Sequence, residues 1–185
     1  MKGMILLANG FEDMEMITTL DLLRRANIEV YTFAVKDENK VLSQSRVYYE
    51  SDYLLKDAIL SEYDFLVIPG GKAVFNDLNS DVVNNVVLDF VKREKLIASI
   101  CAAPTILGKL GLLENKNFTC FPSLDGDVTG GIYMKQSKVE VAGKYITSRS
   151  AGTAIEFALK IIEELKGTEE ANRIQNVIYY NVEVK

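Results

Sequence analysis

At 185 residues, 48% hydrophobic and 25% charged, the chain has the size and balance of one globular domain with a sizeable core, and residues 1–185 are read as that single domain. A formal charge of −5, with no Lys/Arg run forming a basic stripe, excludes a general attraction to nucleic acid or to an anionic membrane surface. Small molecules and proteins are the expected partners.

The first apolar run, Met4–Ala8, is too short for a signal peptide and leads directly into an acidic turn, so it reads as an interior first strand. Met14–Ala26 follows with helical periodicity, placing Ile17, Leu20 and Leu23 on one face and Asp21, Arg24 and Arg25 outside it. Val30–Ala34 and Phe65–Ile68 are further strands, the latter ending in Pro69-Gly70-Gly71. Val82–Val91 is helical, Leu96–Ile100 is a strand, and Pro104 marks the start of another helix, where a missing N–H costs nothing. Phe118–Phe121 is a weaker strand before the Gly-, Asp- and Ser-rich loop Pro122–Gly131. Val139–Ser148 alternates as a hairpin turning near Gly143 and Lys144, which adds an edge pair, and Ala154–Leu165 is helical through Ile155, Ala158, Leu159, Ile162 and Leu165. Strands alternating with helices, the strands nearly continuous in apolar residues, predict an α/β fold with a mostly parallel sheet covered on both faces. No stretch approaches the length of a membrane-spanning helix, and a cytoplasmic location is expected.

Cys101 stands where strand gives way to helix, a position at which unpaired N–H groups and the helix dipole are expected to stabilise a thiolate. The chain has no histidine. The proton acceptor for Cys101 must therefore be a carboxylate, a hydroxyl or water. In the cluster Glu12-Asp13-Met14-Glu15, at least one carboxylate serves as a helix cap. Glu15, beside Met14 and Met16 at the start of the apolar face, is the one suited to turn inward; burial there would raise its pKa and let it hold a proton against the sulfur. Gly70-Gly71 reads either as a simple turn or as a place where backbone N–H approaches a reacting oxyanion, with the N–H of Ala102 as the second donor. Cys120, between aromatics, reads as a core or pocket-wall residue, and both cysteines are expected to be reduced. Tyr179-Tyr180 are expected to cover apolar surface. With no histidine and no paired-cysteine spacing, no metal site is predicted. In doubly wound sheets ligands bind beyond the carboxyl ends of the strands, and Asn9–Glu15, Gly70-Gly71 and Cys101 all fall at such ends.

These segments resemble the ThiJ/PfpI superfamily, and its DJ-one branch more than its protease-like branch. The resemblance covers nearly the whole chain. It rests on Ala8-Asn9-Gly10-Phe11-Glu12-Asp13-Met14-Glu15, Asp21–Ala26, Ser45-Arg46, Pro69-Gly70-Gly71, Ile100-Cys101-Ala102-Ala103-Pro104, Thr129-Gly130-Gly131 and Thr147–Ala158. It implies a flavodoxin-like three-layer sandwich, with Cys101 as a nucleophile-elbow thiol and Glu15 as the protonated carboxyl group touching it. Gly71 and Ala102 match residues whose N–H groups face the sulfur, Arg46 one near that pocket and Arg25 one at a subunit contact; the family commonly forms homodimers through the first helix, so a homodimer with Met14 and Arg25 as contact residues is implied. No cofactor is implied. The chain departs from the pattern twice: Ala102 stands where the protease-like branch has histidine, and Phe121 stands where members often have histidine before the proline.

The resemblance implies a glutathione-independent glyoxalase or protein deglycase, a hydro-lyase or hydrolase acting through Cys101 and Glu15 on a small carbonyl substrate such as methylglyoxal. The alternative is a redox sensor working by oxidation of Cys101. A protease or amidotransferase would need a base that the chain lacks.

Overall fold

The computed structural model describes residues 1–182. In chain order the elements are β1 (Lys2–Leu7), α1 (Asp13–Arg25), β2 (Glu29–Ala34), β3 (Lys40–Leu42), β4 (Tyr48–Glu50), β5 (Tyr53–Leu54), β6 (Phe65–Ile68), α2 (Asp81–Lys92), β7 (Leu96–Ile100), α3 (Pro104–Lys109), β8 (Asn117–Phe118), β9 (Ile132–Tyr133), β10 (Val139–Ala142), β11 (Tyr145–Ser148), α4 (Ala154–Lys166) and α5 (Thr168–Val177).

The main sheet runs β10-β11-β7-β6-β1-β2-β5. All neighbouring pairs in it are parallel except the edge hairpin β10–β11. The central strands β1, β6 and β7 are almost wholly buried, as continuous apolar strands covered on both faces must be. Helices α1, α4 and α5 pack together on one face. Chain order reverses between β1 and β6, and α2 packs against β6 and β7 on the other face. The result is the flavodoxin-like three-layer sandwich, with the carboxyl ends of β1, β6 and β7 side by side.

The structure corrects several details. The buried face of α1 is Glu15, Met16, Thr19, Leu22 and Leu23, whereas Ile17 is 40% exposed. The inward stripe is rotated from the expected one because Glu15 itself is part of it. Of the expected Phe118–Phe121 strand only Phe118 pairs, together with Asn117, in a separate two-stranded sheet with β9. Beyond Phe118 the chain turns to other partners: the N–H of Thr119 donates to Thr147 Oγ1 at 3.0 Å and that of Phe121 to the Cys101 carbonyl at 2.7 Å. Tyr180 packs partly against the core and donates to Glu156 at 2.6 Å, but Tyr179 is 71% exposed and covers nothing.

Candidate active site

The acidic cluster after β1 divides its work. Glu12 is the N-cap of α1, its Oε2 accepting from the Glu15 N–H at 2.9 Å. Asp13 accepts from the Ser45 hydroxyl at 2.6 Å and the Ser45 N–H at 3.2 Å, which fastens the β3–β4 turn to the start of the helix. Glu15, next on the inward face, is 1% exposed. Its Oε2 accepts from the Gly70 N–H at 2.7 Å, Oε1 has no hydrogen-bond partner among the described residues, and the carboxyl lies against the Cys101 thiol. Burial pushes the Glu15 carboxyl up to about 7, against the opposing pull of the Gly70 N–H and of Cys101.

Cys101 adopts φ +65°, a left-handed conformation that costs a residue with a side chain about 1–2 kcal/mol. The turn is held from two sides: the Cys101 N–H donates to Ser148 O at 2.9 Å, and its carbonyl accepts from Phe121. Strand β7 thus ends in a sharp turn that aims the sulfur at Glu15 and toward the N–H groups of Gly71 and Ala102. Helix α3 begins only at Pro104 and is six residues long, so these two N–H groups, rather than a long helix dipole, are the local positive charge. They do not produce the expected low-pKa thiol. Burial, then the Glu15 carboxylate, push the Cys101 thiol well above the usual cysteine range, and the Gly71 and Ala102 N–H groups offset this only in part. Near neutral pH the carboxyl is poised between its two states and lies within reach of the thiol proton.

Both glycines are sterically required. A Cβ on Gly70 would stand 2.6 Å from the Cys101 Cβ and 2.8 Å from Glu15 Oε2, so the site closes only around a bare backbone. Gly71 has φ +89°, and its Cβ would meet the Gly10 carbonyl at 2.4 Å.

A cleft of about 490 Å³ opens above the sulfur, lined by Glu15, Gly71, Cys101 and Ala102 and walled by Phe75 and Phe121 among others. The β3–β4 turn contributes Gln44 to this cleft; Arg46, at φ +68°, is exposed and is not part of its lining. Gln44 Oε1 accepts from the Lys72 N–H at 3.1 Å. Met14 and Arg25 lie on the outward face of α1, remote from the cleft, with Arg25 paired to Asp21 at 2.7 Å. Cys120 is fully buried; its thiol is pushed up to about 12 by burial and then by Asp125 and Asp127, and it does not line the cleft. A larger cavity of about 600 Å³ beyond β1 and β2 holds no cysteine, and its Lys36 and Lys56 are tied to Asp77 and Asp37 at 3.0 Å. Among the described residues no group of three or more His, Cys, Asp or Glu is arranged for a metal ion, and no helix is long and apolar enough to cross a membrane.

Gln44, Lys72 and Phe75 carried no signal in the sequence, because each reaches the cleft through a loop whose path only the fold determines. Gly70 was legible as a turn, but its part in closing the site depends on two residues distant in sequence.

This constellation occurs within a known family. The sequence matches the DJ-1/PfpI family over residues 1–164. The chain belongs to the DJ-1/PfpI family. It is 36% identical to protein dj-1beta of Drosophila melanogaster, covering 97% of this chain and 98% of that one. It is 33% identical to the glutathione-independent glyoxalase DJR-1.2 of Caenorhabditis elegans, covering 88% and 87%. The crystal structure of Drosophila melanogaster DJ-1beta superposes with a TM-score of 0.91 at 35% identity, covering 98% of each chain. The family accounts for the three-layer architecture; within it, this chain carries out whatever it does without histidine.

Proposed function

We propose that the protein is a glutathione-independent glyoxalase acting on 2-oxoaldehydes such as methylglyoxal, or on their adducts with proteins. The observation that carries this is the contact of a buried carboxyl near neutral pKa with a cysteine thiol, flanked by two backbone N–H donors. The similarity to a protein named as a glutathione-independent glyoxalase supports it.

The chemistry follows from the groups present. Cys101 adds to the aldehyde carbon as its proton passes to Glu15, and the N–H groups of Gly71 and Ala102 stabilise the developing oxyanion, which is then protonated to a hemithioacetal. Glu15 next moves a proton from the former aldehyde carbon to the neighbouring carbonyl carbon through an enediol, converting the hemithioacetal into a thioester of the 2-hydroxy acid. Water hydrolyses the thioester, releasing the hydroxy acid and restoring the thiol. The net change is addition of one water; no external oxidant or reductant is consumed. Hydrolytic removal of an early carbonyl adduct from a protein would use the same two groups.

The test is formation of the 2-hydroxy acid from methylglyoxal without glutathione. Cys101→Ala is expected to abolish it, and Glu15→Gln to lower kcat by about 100-fold or more. Substantial turnover by the cysteine variant overturns the reading. Redox sensing at Cys101 is the second reading, favoured by the N–H donors that would hold an oxidised sulfur but opposed by the raised thiol. It predicts stable addition of two oxygens at Cys101 under graded peroxide, ahead of any oxidation of Cys120. The outward face of α1, where Met14 is 57% and Ile17 40% exposed, is proposed as the homodimer surface.

A further inference from the structure

The cleft over Cys101 is larger and more apolar than a three-carbon aldehyde requires. Two large aromatic side chains stand at its walls without being buried by the fold, Phe75 at 57% and Phe121 at 44% exposure. Leu124 and Ala151 extend the same apolar lining. Both aromatics are tied to the reacting groups through the backbone. Phe121 donates its N–H to the Cys101 carbonyl at 2.7 Å, and Phe75 ends the short helical turn Lys72–Phe75, whose N-cap is Gly71, the N–H donor at the sulfur. Both rings line the cleft and keep a large part of their apolar surface exposed beside the thiol.

We infer that the site selects 2-oxoaldehydes whose carbonyl carries an aromatic or similarly bulky apolar substituent, with Phe121 and Phe75 as the residues that determine this specificity. The inference rests on the glyoxalase reading and narrows its substrate class. A methyl substituent presents a single carbon to these walls, whereas a phenyl ring presents a face that removes aromatic surface from water on both partners. Apolar pockets discriminate modestly, by about 10- to 200-fold for a methylene. A preference of at least about tenfold is therefore expected.

The probes are phenylglyoxal and methylglyoxal, each converted without glutathione and followed by chromatography of the 2-hydroxy acid formed. The quantity compared is the ratio of the two kcat/KM values, measured in the wild type, Phe121→Ala, Phe75→Ala and Phe121→Leu. Taking the ratio within one protein cancels any general loss of folded or active enzyme. The wild-type ratio should favour phenylglyoxal by about tenfold or more, fall toward unity in Phe121→Ala, fall in part in Phe75→Ala, and be largely kept in Phe121→Leu. A wild-type ratio at or below one, or a ratio unmoved in both alanine variants, overturns the specificity while leaving the activity standing. If neither aldehyde yields a hydroxy acid, the glyoxalase reading fails, and the specificity with it.

Discussion

Three neighbouring carboxylates illustrate how little residue type alone decides: Glu12 caps, Asp13 fastens a loop, and Glu15 enters the core. The direction of the Glu15 shift has a consequence for stability. A carboxyl raised from 4.5 to about 7 in the fold binds its proton more tightly folded than unfolded, so its contribution is complete below about pH 4.5 and is lost as the pH rises through about 7. Relative to Glu15→Gln, the wild type should lose stability between pH 5 and 7.5 by an amount of the order of 2–3 kcal/mol, measured by urea unfolding at both pH values. Parallel behaviour of the two proteins would show that Glu15 is not held protonated by burial. The same variant should separate charge from catalysis. Removing the carboxylate that pushes up the Cys101 thiol should speed alkylation by iodoacetamide above pH 7, even as turnover of methylglyoxal falls. Slower alkylation would contradict that assignment. Part of this site was legible in the sequence: the missing histidine left a carboxylate, a hydroxyl or water as the partner of Cys101, and among the clustered carboxylates Glu15 was the one next to apolar neighbours. The state of the thiol was not, since it depends on burial and on a charge that only the folded chain brings beside it.

At the scale of elements, amphipathic periodicity locates a helix more reliably than it orients one. The extent of α1 was predicted to within a residue, but its buried stripe was turned away from Ile17 because a polar residue, Glu15, belongs to the inward face. The segment after β8 failed as a strand because the Phe121 N–H is used to hold the Cys101 turn. Helix α5 went unread; only Ala171 and Ile174 on it are buried, too thin a stripe to stand out among its polar residues. Where strands end, by contrast, steric demands are strict. Gly70→Ala inserts a carbon between Cys101 and Glu15 and should cost about 1–3 kcal/mol of stability, as overpacking does, together with most of the activity. Thermal unfolding and hydroxy-acid formation measure the two effects, and an unaltered, active variant would show that the contact between thiol and carboxyl is dispensable.

For the whole molecule, the alternation of strands and helices was sufficient to give the layered sheet, because a parallel sheet with both faces covered leaves few other arrangements. What periodicity could not supply is which strand ends meet, and so how Gln44 and Phe75 join a cleft built around residues after β1, β6 and β7. The outward face of α1 leads to a prediction at this scale. The wild type should sediment as a dimer and Ile17→Asp as a folded monomer in analytical ultracentrifugation, whereas equal masses for the two would place any dimer contact elsewhere. The most direct test of the central claim, that Cys101 and Glu15 together form the reaction centre, is rapid-quench intact-mass analysis of the wild type and Cys101→Ser mixed with methylglyoxal. A covalent adduct that maps to Cys101 and clears as the 2-hydroxy acid accumulates, with neither event in Cys101→Ser, is the predicted result. Hydroxy acid released by Cys101→Ser at the wild-type rate would contradict it.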